Sequence, residues 1–221
     1  MSFKSPYLFI FFLPLFSGCF DLIEEVNVHP DGSGSFFFEA NLSQSKTKLE
    51  TIMALDSLDG FKIPSKAQIS RKIEDAASIL RSAEGISLVS DKIDFDNYIF
   101  NMRFDFSQVK FLNQALASLH KSFEPNKTIH ETNGFRKDGA IFERMSEYKA
   151  PPEMKTAVKK ELTLLNDAFL TCIYRFDQPI LHFSNPDAKL SKNGKAVLLK
   201  LSIPDILNGK KTISDIIQTK N

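Results

Sequence analysis

The chain has 221 residues, 43% of them apolar and 25% charged, and a formal net charge of +1. That balance is the ordinary one for a folded globular chain, and near-neutrality without a basic run removes the electrostatic footprint expected of a nucleic-acid binder. Only two cysteines are present, which excludes a disulfide framework.

The opening "MSFKSPYLFIFFLPLFSGC" carries one positive charge at Lys4, an apolar stretch from Tyr7 to Phe16, and small residues at Ser17 and Gly18. This is the order of parts in an export signal. A membrane-spanning helix needs about 20 apolar residues, and the stretch is interrupted well short of that. Phe16-Ser17-Gly18-Cys19 resembles the lipobox of bacterial lipoproteins, with Phe16 departing from the usual aliphatic residue and Leu15 one place earlier. The resemblance implies diacylglycerol transfer to the Cys19 sulfur, cleavage between Gly18 and Cys19, and commonly acylation of the new amino group. A thiolate is the strongest side-chain nucleophile near neutral pH. Two or more acyl chains hold a protein on a membrane where one does not. The expected organisation is a signal peptide over 1–18 and a single extracytoplasmic domain over 19–221, with a sub-boundary near 124–127. The domain would be lipid-anchored in the bacterial cell envelope and lie outside the cytoplasm, close to the membrane surface.

After Cys19 the chain reads as a hairpin. Val26 and Val28 alternate with polar residues, Asp31-Gly32-Ser33-Gly34 supplies a turn, and Phe36, Phe38, Ala40 and Leu42 alternate with Phe37, Glu39 and Asn41. The glycine pair lacks the context and the Lys of a phosphate-binding loop. Leu49, Ile52, Met53 and Leu58 mark a first helix. A second carries Ile69, Ile73, Ala76, Leu80 and Ala83 at steps of three and four, with Ser65 and Gln68 as a capping box and Gly85 as its stop.

From Ile86 the period changes to two. A strand, a turn near Asp96-Asn97, and a second strand with Tyr98, Phe100, Met102, Phe104 and Phe106 on one face follow. Ser107 caps a helix with Phe111, Leu112, Ala115, Leu116 and Leu119 on its apolar side. "TIHETNGFRKDGAIFERMSEY" reads as a hairpin turning at Asp138-Gly139. Pro151-Pro152 then starts a helix with Met154, Val158, Leu162 and Leu165. "FLTCIYRF", "PILHFSN" and "KAVLLKLS" read as strands, the last two flanking a turn at Asn193-Gly194, and the tail from Lys210 reads as a short helix or loose chain. The sum is an α+β fold, a mainly antiparallel sheet built from hairpins and packed against about four helices.

The same segments offer little chemistry. His29, His120, His130 and His182 are isolated, and no pair has metal-ligand spacing on one element. No Gly-x-Ser-x-Gly or Ser-x-x-Lys pattern marks a serine nucleophile. Asp94 with Asp96, or Asp105 with Arg103, stand about 7 Å apart along a strand, a spacing open to glycosidic chemistry, but their apolar neighbours make them the wet side of a sheet. Cys172, in an apolar run, reads as a small buried hydrophobe. No catalytic residue, cofactor or metal is expected, and the chain is read as a non-enzyme.

The lipidated Cys, immediate strand, Asp-Gly-Ser-Gly turn, second strand and helical pair, together with "FDQPILHFSNPDAKLSKNGKAVLLKLS", loosely resemble the LppM-type group of lipoprotein domains. That resemblance implies an envelope protein with a lipid or glycolipid as ligand rather than an enzyme. Phe36, Phe37 and Phe38 are the candidate apolar ligand contacts, either lining a cavity or packing under a helix, with packing favoured. Three functions follow in order: a non-catalytic anchored lipoprotein that binds or scaffolds an envelope partner, a lipid or glycolipid carrier with an internal pocket, and a hydrolase with a dispersed site. The expected partners are the membrane through Cys19 and a lipid or envelope protein, with no nucleic acid.

Overall fold

The computed structural model describes residues 19–58, 61–123, 134–146 and 167–221. Strands β1 (Cys19–Val28) and β2 (Gly34–Asn41) form the first hairpin, with Val28 opposite Gly34 and Asp21 opposite Asn41. The turn depends on its glycines. Gly32 has φ +86°, and a Cβ on Gly34 would stand 1.9 Å from the Asn27 carbonyl oxygen.

A 3-10 turn at Ser43–Ser45 leads into α1 (Lys46–Met53), which has no fully buried residue. Leu58 is extended, in the two-residue strand β3 (Ser57–Leu58) that pairs β4 (Phe61–Lys62), and does not continue the first helix. Helix α2 (Lys66–Arg81) starts at the expected capping box: Gln68 N donates to Ser65 Oγ at 3.2 Å and Ser65 N to Gln68 Oε1 at 2.8 Å. Its apolar stripe buries Ala76, Ala77 and Leu80. Beyond its end Gly85 takes φ +70°, and a Cβ there would meet the Phe111 ring at 2.3 Å.

Strands β5 (Ile86–Asp94) and β6 (Ile99–Phe106) are the second hairpin, with a bulge between Ser87 and Ser90 that leaves Leu88 at φ +50° and 76% exposed. Bulges that twist an edge strand block further pairing. Helix α3 (Val109–Phe123) buries Val109, Leu112 and Ala115. Strands β7 (Gly134–Asp138) and β8 (Ile141–Met145) turn at Gly139 as expected. The helix read over 151–165, residues 128–133 and 147–148 at the two ends of that hairpin, and the sub-boundary at 124–127 lie outside the described residues.

The remaining strands are β9 (Asp167–Phe176), β10 (Ile180–Phe183), β11 (Lys189–Leu190), β12 (Ala196–Ser202) and β13 (Asp215–Thr219), with α4 (Ile203–Leu207) before the last. A seven-stranded sheet runs β11-β12-β9-β1-β2-β6-β5, and a four-stranded one β10-β13-β8-β7. All pairings are antiparallel except β1 with β9. The fold is α+β with a mainly antiparallel sheet.

Two readings of the C-terminal third are corrected. Across the turn at Gly194, β12 pairs with β11, while β10 crosses to the second sheet and pairs with β13. The tail after Lys210 is neither helix nor loose, because β13 sits inside the four-stranded sheet. Its buried positions are Ile213, Asp215 and Ile217, so an aspartate on the core face conceals the period of two.

One face of the large sheet carries the core. Val26, Val28, Phe36, Phe104, Phe106, Cys172, Tyr174, Phe176, Val197, Leu199 and Leu201 share it through the register, and Leu80, Leu112, Phe135, Phe142 and Ile217 cover it from α2, α3 and the small sheet. Phe142 lies 5.8 Å from Phe135, 5.7 Å from Tyr174 and 5.5 Å from Phe176 between ring centroids, joining the two sheets through aromatic contacts.

Candidate functional site

Three places bear on function: the Cys19 end of β1, a buried polar cluster midway along it, and a cleft at its far end. Cys19 is the first residue of β1 and pairs in register with Asp167 of β9. No spacer separates it from the sheet. On the core face of this end Phe20 and Leu22 are half-buried, and on the opposite face Lys200 Nζ donates to Asp21 Oδ1 at 3.2 Å. Gly18 lies outside the described residues. Among those described, no helix is long and apolar enough to cross a membrane.

The three consecutive phenylalanines are divided by the strand's alternation. Phe36 is buried and stacks on Phe104 with centroids 5.2 Å apart, and Phe38, on the same face, is 37% exposed. Phe37 points to the other face, under the Arg103 guanidinium at 5.4 Å. The trio does not converge on one cavity, and Phe36 is a packing residue.

The buried cluster was not anticipated. Glu24 accepts from Arg144 Nε and Nη2, each at 3.0 Å, and from the Tyr174 hydroxyl at 3.0 Å. The guanidinium also donates to the Met145 carbonyl at 2.9 Å and lies 4.6 Å from the Phe135 ring centroid. Burial opposes the Arg144 charge, but the charge and hydrogen bonds of Glu24, with Tyr174 and Cys172 beside it, together outweigh burial and hold the group firmly protonated. Burial, reinforced by the Glu24 charge, pushes the Cys172 thiol and the Tyr174 phenol well up, so both stay neutral. Cys172 is fully buried, and a protonated, enclosed thiol is a poor nucleophile. The cluster ties the large sheet to β8 of the small one. The signal for it was present in the sequence, because Glu24 has the same parity as Val26 and Val28.

A second polar lock holds the loop after β10. Asp215 Oδ1 accepts from Ser184 N at 2.8 Å, Ser184 Oγ at 3.1 Å and Asn185 N at 2.9 Å. The Asn185 amide donates to the carbonyls of Thr212 and Ser214 at 2.9 and 2.8 Å.

At the end of β1 remote from Cys19, the turns after β1, β7 and β9 surround an open cleft of about 230 Å³. Val28, Pro30, Ala140 and Phe176 give it apolar walls, and His29, Lys137, Asp177, Gln178 and Lys220 line it with polar groups. His29 Nδ1 is 2.8 Å from Asp177 Oδ2, and Lys137 Nζ donates to the carbonyls of Pro30 at 2.9 Å and Gly139 at 2.7 Å. Beside it the Ser33 hydroxyl and N–H hold the Asp31 carboxyl below its usual range.

The other candidates stay apart. Asp94 accepts from Asn97 N at 2.9 Å and Nδ2 at 3.0 Å, closing the turn between β5 and β6. Those donors lower its pKa, the opposite of what a general acid needs. Arg103 packs on Phe37. Among the described residues no group of three or more His, Cys, Asp or Glu could hold a metal ion, and His130 lies outside them.

No family model matches the chain, and no curated protein matches it. Among solved structures, the NMR structure of the folded domain of LppM from Mycobacterium tuberculosis is similar at 15% identity and a TM-score of 0.40, covering 92% of this chain and 91% of that one. Identity and TM-score are both too low to carry a functional inference.

Proposed function

We propose that the chain is an envelope lipoprotein, anchored through a lipidated Cys19, whose folded domain binds or scaffolds another envelope component without catalysis. One observation carries the reading: the cysteine of the lipobox-like Phe16-Ser17-Gly18-Cys19 is also the first residue of β1. Cleavage between Gly18 and Cys19 would therefore leave no tether between the acylated cysteine and the sheet. It would set the sheet directly on the membrane surface, with the half-buried Phe20 and Leu22 next to the acyl chains.

The reading is tested by phase partition of the full chain expressed in a bacterium that lipidates its exported proteins. The wild type is expected in the detergent phase and Cys19→Ala in the aqueous phase. A Cys19→Ala protein that stays in the detergent phase would refute lipid anchoring at this residue.

A further inference from the structure

We propose that Asn41 is an acceptor for asparagine-linked glycosylation, taking an oligosaccharide from a polyprenyl diphosphate donor; the proposal rests on the reading of the chain as an exported, anchored lipoprotein. Asn41-Leu42-Ser43 is an Asn-x-Ser acceptor sequence. Glu39 stands two places before the asparagine, and bacterial transfer uses this longer pattern: an acid, any residue but proline, then the acceptor triplet. The chain has one other match, Asn126-Lys127-Thr128, but there Pro125 directly precedes the asparagine and fixes the backbone on that side.

The local geometry fixes the state of the amide. Asn41 closes β2, and its Oδ1 accepts from Ser43 N at 3.1 Å and from Ser43 Oγ at 2.7 Å. A backbone N–H can only donate, so the atom it meets is the amide oxygen, and Nδ2 points away from the turn. Among the described residues nothing accepts from Nδ2. The two hydrogen bonds draw charge onto Oδ1 and make an amide proton easier to lose. Position matches the donor as well. Asn41 pairs in register with Asp21 on the sheet face opposite the core, so it lies about 8 Å from Cys19 at strand spacing. The donor is held in the membrane by its lipid tail, and an anchor at Cys19 brings this end of the sheet to it. In the reaction Nδ2 forms a bond to the anomeric carbon and the bond from that carbon to the diphosphate oxygen breaks. The lipid diphosphate leaves with the electron pair, and the amide proton passes to a base of the transferase.

The test is transfer in vitro. The full chain, folded in neutral detergent, is incubated with a bacterial oligosaccharyltransferase and a polyprenyl diphosphate oligosaccharide, then read by intact mass and peptide mapping. One glycan is expected, on the peptide that contains Asn41, and none in Asn41→Gln. Ser43→Ala should slow transfer about tenfold, the rate equivalent of one hydrogen bond, and Ser43→Thr, which keeps the hydroxyl, should restore it. Glu39→Gln should slow transfer and Glu39→Asp should not, a dependence on charge that a loss of folding would not give. Asn126→Gln should leave it unchanged. No glycan on the wild type, a glycan that persists in Asn41→Gln, or equal transfer to Ser43→Ala overturns the site. Transfer in detergent needs neither export nor a lipid on Cys19, so a negative result strikes the acceptor alone and leaves the anchoring reading to its own partition test.

Discussion

Glu24 is a carboxylate in the middle of an apolar sheet face, and its partners come from strands far away in the chain. Taking two charges out of water is costly, and the cost is recovered only when the pair is well hydrogen-bonded. Glu24 meets that condition with Arg144 and Tyr174. Arg144→Met would leave the carboxylate buried and uncompensated, and should lower unfolding stability by about 3–5 kcal/mol in urea denaturation. The double variant Glu24→Leu with Arg144→Met should recover most of that loss. The same cluster sets an alkaline limit. The Cys172 thiol and Tyr174 phenol have raised pKa values when folded. Their contribution is complete below the unfolded-state values near 9 and 10, and is lost as pH rises toward the folded-state ones. Stability should thus fall with pH above about 9, by up to ~1.4 kcal/mol per unit for each group. Cys172→Ala should flatten that slope between pH 8 and 10; an unchanged slope would remove the thiol from the account.

At the scale of elements, caps and turns are local and can be checked one at a time. Ser65→Ala removes one half of the capping box of α2 and should cost about 1 kcal/mol in thermal or urea unfolding. Gly34→Ala should cost much more, because the added Cβ would lie 1.9 Å from the Asn27 carbonyl oxygen, a backbone atom that cannot move without breaking the β1–β2 register. The elements that were legible in the sequence are those with local signals. The hairpins β1–β2 and β5–β6 showed alternation around turn residues, and α2 showed a cap and a 3.6-residue stripe. The elements that were not legible depend on distant partners. The parallel pairing of β1 with β9 joins Cys19 to Asp167, and nothing near either residue announces it. Strand β13 was missed because Asp215 occupies a core position, where Ser184 and Asn185 from another segment meet one carboxylate oxygen, Oδ1, and Oδ2 is buried without a hydrogen-bond partner. Of the candidate sites, Cys19 is proposed from its sequence neighbours, and the structure adds only its place at the start of β1. The cleft could not be read in the sequence, since it is formed by turns at 29–30, 139–140 and 177–178 together with the last residues of the chain, which only the fold brings together.

In the whole molecule, β1 is the axis that relates these places. Its ten residues span about 33 Å at 3.3 Å per residue, with Cys19 at one end, Glu24 midway and the cleft past Val28. If Cys19 holds the domain to a membrane, the cleft is carried to the opposite pole and faces the surrounding solvent or a partner. The most direct test of the central claim is intact-mass analysis, with N-terminal peptide mapping, of the protein extracted from bacterial membranes. The account predicts a chain that begins at Cys19 and carries a diacylglycerol on its sulfur. A chain that retains Met1, or one that begins at Cys19 or elsewhere without lipid, would contradict it.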